Sequence, residues 1–291
     1  TQAENRRIEI GHGVPSAIVR RHSSNRNADP MSIDPLTAHH WGAAAFAAAD
    51  LGLQVTLVDP EANPGGVCLY RGCIPSKALL HVAKVIAEAK HAPHWGVTFS
   101  EPTIDLDKLR TFKDNVVGKM TGGLGQLRNS RKINYLQGMA TFVDNRTLAI
   151  DLVAGGKDTL TFQHAIIATG SRPTTIPGWS VKSDRLMDST GALELADVPG
   201  ELLVVGGGYI GMEMGTVYAR LGSRVTVVEA LDSILAGADA DLSRLVIAYG
   251  RKLFKEIRVK TAIRALAVKG DRVRATMETN GAVTEASFDR V

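Results

Sequence analysis

Two cysteines, Cys68 and Cys73, are the only ones in the chain, and four residues separate them in "GGVCLYRGCIPSKALL" (residues 65–80). A metal site would lack ligands, because His81 is the only nearby imidazole. A structural staple would close a very small loop, which is unexpected in a reducing compartment. A redox pair fits best, because Pro75 predicts a helix beginning beside Cys73, and a helix N-terminus stabilises a thiolate. Two unpaired buried thiols remain the alternative.

A second chemical motif is GxGxxG, formed by Gly206, Gly208 and Gly211. It follows the apolar run Leu202–Val205 and precedes Glu229 by about 20 residues, as in dinucleotide-binding units. The first glycine permits the tight turn, the second lets a pyrophosphate approach, and the third lets helix and strand pack closely. Glu229 would accept hydrogen bonds from a ribose 2′-hydroxyl and repel a 2′-phosphate, which favours NAD over NADP. The alternative is a glycine turn that binds no ligand.

The elements around this motif predict a strand–helix–strand unit, with the helix ending near Leu221 and the second strand at Arg224–Val228. A similar half-unit lies upstream: a small-residue helix from Gly42 and a buried strand, Gln54–Val58, that ends on Asp59. The glycine turn expected before that helix is replaced by "TAHHWG" (residues 37–42). Residues 103–130 predict a charged helix, and we expect it to be interrupted at Gly122–Gly123.

These patterns predict an α/β fold with two Rossmann-like three-layer nucleotide-binding domains. We expect an aberrant, disordered N-terminal segment over 1–41, an incomplete FAD-binding domain with the redox disulfide over 42–180, and a nearly complete NAD-binding domain over 181–291. The net charge of +4 forms no basic stripe, so nucleic-acid binding is not expected. No apolar run is long enough to predict a membrane span, and no metal site is predicted. Two cysteines are too few for a secreted disulfide scaffold, which favours the cytoplasm.

Four segments carry a resemblance to a known family: "GGVCLYRGCIPSKALL", "ATGSRP" (168–173), "DSTGALEL" (188–195) and "GGGYIGMEMG" (206–215). Over residues 43–291 the chain resembles the flavin-dependent pyridine-nucleotide disulfide oxidoreductases, and most of all the lipoamide-oxidising members. The resemblance implies FAD and NAD as cofactors. It also implies that Cys73 is the thiol nearest the flavin, that Cys68 exchanges with the substrate disulfide, and that Lys77 lies beside the flavin paired with Glu213.

The same resemblance implies the cofactor-binding residues. For FAD these are Asp59 at the adenosine ribose, Gly65, Gly66 and Val67 along the phosphates and flavin, Gly138 at the adenine end, and Thr169, Gly170 and Ser171 closing over the cofactor. For NAD they are Gly206, Gly207, Gly208, Tyr209, Ile210, Gly211 and Glu229. The implied reaction oxidises dihydrolipoamide on the lipoyl domain of a 2-oxoacid dehydrogenase complex and reduces NAD+.

The chain departs from the family pattern in two ways. The missing glycine turn predicts weak FAD binding, because a helix N-terminus alone cannot bring its N–H groups to a pyrophosphate. Family members are also longer, and their C-terminal domain forms the homodimer and supplies a His–Glu pair, so the chain looks like a fragment lacking its dimerisation domain. The alternatives are another flavoprotein disulfide reductase, of the mercuric or glutathione type, and an inactive NAD-binding remnant.

Overall fold

The computed structural model describes residues 16–20, 41–174, 176 and 183–291. Their strands are β1 (Ser16–Arg20), β2 (Gln54–Asp59), β3 (Asn134–Phe142), β4 (Thr147–Leu152), β5 (Lys157–Thr161), β6 (His164–Ile166), β7 (Glu201–Val205), β8 (Arg224–Val228), β9 (Glu256–Arg258), β10 (Thr261–Lys269), β11 (Arg272–Thr279) and β12 (Ala282–Phe288). Their α-helices are α1 (Trp41–Asp50), α2 (Gly66–Arg71), α3 (Cys73–His91), α4 (Leu106–Ser130), α5 (Ser189–Glu194), α6 (Tyr209–Leu221) and α7 (Ala240–Leu253).

The chain divides into two compact units. The first comprises Thr1–Tyr70 and Val117–Arg172, and the second comprises Arg71–Val116 and Pro173–Val291. The domain boundary near residue 180 predicted from the sequence stays a prediction. The mixed α/β class expected from the sequence is confirmed.

The first unit is built on a six-stranded sheet with the order β5-β4-β3-β2-β1-β6. β2 and β3 run parallel, while β3, β4 and β5 form an antiparallel meander. α1 packs on the sheet through small side chains, because alanine lets helix and strand approach closely. One core contains Ala45, Ala48, Val55, Leu57, Ile133 and Ala168, and a second contains Val58, Leu148, Ile150 and Phe162.

β1 lies inside the segment that the sequence predicts to be disordered, because SAIVR has neither the apolar–polar alternation of a half-buried strand nor a long apolar run. It lies between β2 and β6 and is antiparallel to both. Ser16 is opposite Val58 and Arg20 is opposite Gln54, so β1 ends where β2 begins. In a nucleotide-binding unit this position holds a parallel strand whose end leads through the phosphate-binding turn into the helix. The other residues of the predicted disordered segment, up to residue 40, lie outside the described part.

The second unit contains a parallel sheet with the order β7-β8-β9, connected through α6 and α7. The predicted bounds of β8 are confirmed, and α6 ends at Leu221 as predicted. The antiparallel sheet β10-β11-β12 covers one face, where Leu203 and Val228 pack against Val273, Met277 and Phe288. α3 and α6 pack together in the other layer, around Leu79, Val217 and Tyr218 among others. The unit therefore has three layers.

α4 continues through Gly122 and Gly123, so the predicted interruption there is wrong. Each glycine costs a helix about 1 kcal/mol, a penalty that packing can outweigh. Thr121 beside them is 5% exposed, and a side chain at Gly125 would collide with Asn63. In the part of the chain that the structure describes, no helix is both long and apolar enough to cross a membrane. The same residues include no cluster of three or more His, Cys, Asp or Glu suited to a metal ion.

Candidate active site

Cys68 and Cys73 are both disulfide-bonded, and since the chain has no other cysteine the bond joins them. Cys68 lies in α2 and is half-buried, whereas Cys73 is exposed and is the first residue of α3. The residue before it, Gly72, offers no side chain to the free N–H groups of the first turn. Pro75 is the third residue of the helix rather than the first. Its missing N–H costs no hydrogen bond there, because the N–H groups of the first turn have no acceptor within the helix. Cys73 therefore lies at the positive end of the α3 dipole, a position that favours a thiolate.

A charged pair links α3 to α6 just beyond the disulfide. Lys77 in α3 forms an ion pair with Glu213 in α6, as the sequence analysis predicted. The Ser76 hydroxyl donates to the other oxygen of the same carboxylate. Ser76 is 6% exposed and Lys77 has an exposed side chain. Ser76 is not among the residues predicted from the sequence. Its only signal is its position next to Lys77 in the first turn, which does not reveal a partner 137 residues away.

The glycine turn between β7 and α6 has the close packing that its spacing predicts. Gly206 has φ +104°, a conformation that favours glycine, and its N–H donates to the carbonyl of Val228 at 2.8 Å. A side chain at Gly211 would collide with the carbonyl oxygen of Gly206, so only glycine lets α6 start so close to the turn. At Gly208 an added Cβ would have no neighbour within 4 Å. This open space lies at the start of α6.

Glu229 follows β8, and its carboxylate is fixed by two backbone groups. One oxygen accepts from the N–H of Gly207 at 2.7 Å and the other from the N–H of Leu231 at 2.8 Å. The acid is thus held against the glycine turn with lone pairs left for a ligand hydroxyl. Tyr209 and Ile210 are exposed beside it in the first turn of α6, where free N–H groups suit a phosphate. These residues fit a dinucleotide, although their cofactor roles stay a prediction.

The residues predicted to hold FAD are only partly suited to it. Asp59 is buried at the end of β2, and one of its oxygens accepts from the N–H of Glu61 at 3.0 Å. No glycine occurs between β1 and Gly42, and β1 runs opposite to the direction that would lead a phosphate-binding turn into α1. The chain thus presents an acid for a ribose but no glycine cradle for a pyrophosphate, and the pyrophosphate part of FAD does not fit.

The other predicted FAD residues lie in three places in the first unit. Gly65, Gly66 and Val67 lead into and begin α2, and Thr169, Gly170 and Ser171 follow β6. Gly138 has a structural explanation independent of a cofactor. A Cβ there would lie 2.7 Å from the carbonyl oxygen of Asp151, so the pairing of β3 with β4 requires glycine. The assignment of all seven residues to FAD stays a prediction.

Known proteins resemble this chain over most of its length. Residues 42–291 match the family model described as pyridine nucleotide-disulphide oxidoreductase. The chain is 47% identical over 248 residues to the dihydrolipoyl dehydrogenase of Haemophilus influenzae and 43% identical over 249 residues to that of Vibrio cholerae. Each alignment covers 85% of this chain and 52% of the relative. The chain therefore spans about half the length of the curated relatives it matches.

A solved structure is also similar to this chain. The copper(II) complex of the HOCl-induced flavoprotein disulfide reductase RclA from Escherichia coli superposes with a TM-score of 0.69 at 25% identity. The superposition covers 86% of this chain and 52% of that one. Members of the matched family are oxidoreductases that use FAD and NAD(H). Because the family model matches 250 of 291 residues, counted from 42 to 291, the chain belongs to the pyridine nucleotide-disulphide oxidoreductase family.

Proposed function

We propose that this chain carries the dithiol–disulfide exchange site and the pyridine-nucleotide site of a lipoamide-oxidising oxidoreductase. The observation that supports the proposal is the contact between α3 and α6 through Glu213. α3 begins with Cys73, and α6 begins at the glycine turn beside Glu229. Two contacting helices in one unit thus begin, respectively, at the redox disulfide and at the nucleotide turn.

The exchange step follows from ordinary thiol chemistry. One thiolate of the substrate dithiol attacks the Cys68 sulfur, which breaks the Cys68–Cys73 bond and releases Cys73 as a thiolate. The second substrate thiolate then attacks the mixed disulfide and releases Cys68. The substrate is oxidised to its disulfide, the two cysteines gain two electrons, and the two substrate protons pass to the cysteines or to solvent. The first turn of α3 lowers the cost of the Cys73 thiolate.

The Ser76–Lys77–Glu213 group has a different task in this proposal. Lys77 is a cation one turn after Cys73, and Glu213 balances its charge while fixing its direction. In this family the flavin supplies the electron relay between the thiols and the nicotinamide. We assign this chain no flavin step, because the glycine cradle for the pyrophosphate is missing.

The substrate and partners are proposed from the named relatives. We infer dihydrolipoamide as the dithiol, the lipoyl domain of a 2-oxoacid dehydrogenase complex as the partner, and NAD rather than NADP as the nucleotide. Glu229 supports the nucleotide choice, because its carboxylate would repel a 2′-phosphate. Homodimerisation and a cytoplasmic location are further parts of the proposal.

A nucleotide titration tests the first half of the proposal. We expect NADH to bind the purified chain at least tenfold more tightly than NADPH in isothermal titration calorimetry. Glu229→Gln should lower the NADH affinity about tenfold to a hundredfold, since hydrogen bonds to a charged acceptor contribute about 1.5–3 kcal/mol. The matched control is Glu285→Gln on β12, whose carboxylate pairs with Arg274 on a neighbouring strand. Equal affinity for the two nucleotides would contradict the assignment of Glu229.

Thiol counting tests the second half. Dihydrolipoamide should convert the disulfide to two thiols that alkylation and mass spectrometry detect at Cys68 and Cys73. A chain that binds NADH but leaves both cysteines oxidised would instead be an inactive nucleotide-binding remnant. That second candidate is favoured by one observation, the absence of the glycine cradle before α1.

A further inference from the structure

Tyr70 lies between the two cysteines in sequence and is not explained by the proposed exchange chemistry. Its side chain folds back from α2 over the preceding residues, and its hydroxyl donates to the carbonyl of Asn63 at 2.9 Å. Its ring covers Gly65, where an added Cβ would lie 2.7 Å from the ring carbon Cε2. Tyr70 thus ties the helix that carries Cys68 to the segment that follows β2.

The segment that receives this hydrogen bond is itself fixed to the sheet. Gln137 in β3 donates to the carbonyl of Pro60 at 3.0 Å, and the Tyr135 hydroxyl donates to the carbonyl of Glu61 at 2.8 Å. Burial raises the pKa of Tyr135 and that of Tyr70, so both hydroxyls keep their protons at neutral pH. Residues 60–63 therefore connect Tyr70 to the sheet, because Tyr70 donates to Asn63 while two β3 side chains donate to Pro60 and Glu61.

We propose that Tyr70 is a positioning residue of the redox disulfide, which holds Cys68 near its disulfide-bonded position after the bond has opened. The inference rests on the proposed function in one respect, since it requires that the disulfide opens and closes reversibly. Two thiols held close together re-form a disulfide more readily than two thiols on a loose turn, because less chain entropy is lost. Removing the Tyr70 hydroxyl should therefore make the disulfide easier to reduce.

The equilibrium that reports this effect is exchange with dithiothreitol. One dithiothreitol dithiol is oxidised to its cyclic disulfide while Cys68–Cys73 is reduced to two thiols, so two electrons and two protons are transferred. The reduced fraction of the protein is measured by alkylation and mass spectrometry across a range of oxidised-to-reduced reagent ratios. The equilibrium constant is then compared between the wild-type chain and each variant.

We expect Tyr70→Phe to shift this equilibrium about threefold to tenfold toward the dithiol, because without the hydroxyl the opened turn gains chain entropy that disulfide formation must remove. A tenfold shift corresponds to about 30 mV for a two-electron couple. The matched control is Tyr249→Phe, which removes an exposed hydroxyl bonded to Arg220 on α6. The control should remain within a factor of 1.5 of wild type. A Tyr70→Phe equilibrium equal to that of the control, or shifted toward the disulfide, overturns the proposal.

A second variant keeps the test decisive if Tyr70→Phe fails to fold. Gly65→Ala keeps the Tyr70 hydroxyl in the sequence but pushes the ring, and with it the hydroxyl, away from Asn63. It should therefore shift the equilibrium in the same direction. Circular dichroism at 222 nm establishes that each variant is folded before the titration. A folded Gly65→Ala variant with the wild-type equilibrium overturns the proposal. Failure of the proposed function looks different, because the wild-type disulfide would then not titrate reversibly at all.

Discussion

Replacing Ser76 by alanine should destabilise the protein more than replacing Lys77 by methionine, although Lys77 carries the charge. The Ser76 hydroxyl is buried, at 6% exposure of the residue, and it donates to the Glu213 carboxylate. Hydrogen bonds to charged groups contribute about 1.5–3 kcal/mol, and the acceptor left behind would be only 25% exposed. The Lys77 side chain is 58% exposed, so water screens its ion pair and its contribution is about 0.2–1 kcal/mol.

Urea unfolding followed by circular dichroism and tryptophan fluorescence measures these differences. We expect Ser76→Ala to lower the free energy of unfolding by about 2 kcal/mol and Lys77→Met by less than about 1 kcal/mol. A double-mutant cycle with Glu213→Gln isolates the Ser76–Glu213 coupling from other effects of each substitution. Ser130→Ala is a matched control, because its exposed hydroxyl donates only to a backbone carbonyl in its own helix.

Two results would refute this reasoning. One is a larger loss for Lys77→Met than for Ser76→Ala, which would mean that the exposed ion pair dominates. The other is a Ser76–Glu213 coupling near zero, which would mean that the carboxylate does not depend on the hydroxyl.

Three further predictions follow from packing and burial. Gly211→Ala should abolish NADH binding in calorimetry, because its Cβ would collide with the carbonyl of Gly206; retained affinity would show that the turn can open. Lys113→Met should lower the free energy of unfolding by about 1.5–3 kcal/mol in urea, since this buried ammonium group donates to the carbonyl of Leu193; a loss below about 0.5 kcal/mol would contradict its role in capping α5. Burial raises the pKa of Tyr218 to about 12, so the stability that its neutral form contributes is fully present below pH 10. Between pH 10 and 12 the free energy of unfolding should fall by about 1.4 kcal/mol per pH unit because of this residue. Tyr218→Phe should remove this pH dependence from urea unfolding, and an unchanged pH dependence would exclude Tyr218 as its source.

The glycine turn between β7 and α6 is the part of the molecule that the sequence predicts best. A buried parallel strand reads as a continuous apolar run, and β7 carries such a run, Leu202–Val205, directly before the glycine turn. The spacing of Gly206 and Gly211 can be recognised from the local sequence, because the positive φ at Gly206 favours glycine and the close start of α6 requires glycine at Gly211. The hydrogen bonds from Gly207 and Leu231 to Glu229 were beyond prediction, because they depend on how the loop after β8 closes over the turn.

Contacts between residues distant in sequence were harder to predict. The Lys77–Glu213 pair was expected only because the chain resembles a family, since nothing in either segment identifies the other. Ser76 was missed for the same reason. The interruption at Gly122–Gly123 was predicted from local helix cost, and it is wrong because burial of the neighbouring turns outweighs that cost.

The antiparallel strand β1 makes the first unit depend on a segment outside the family match. Within the described residues, β6 pairs only with β1, and β1 also covers the edge of β2. If Ser16–Arg20 detached, the backbone amides of β6 would lose their ladder and one side of β2 would become an open edge. Amide hydrogen exchange in β6 should therefore follow the opening of β1 rather than that of the β3–β5 meander. Protection of the His164–Ile166 amides from exchange thus reports whether Ser16–Arg20 are paired with β6.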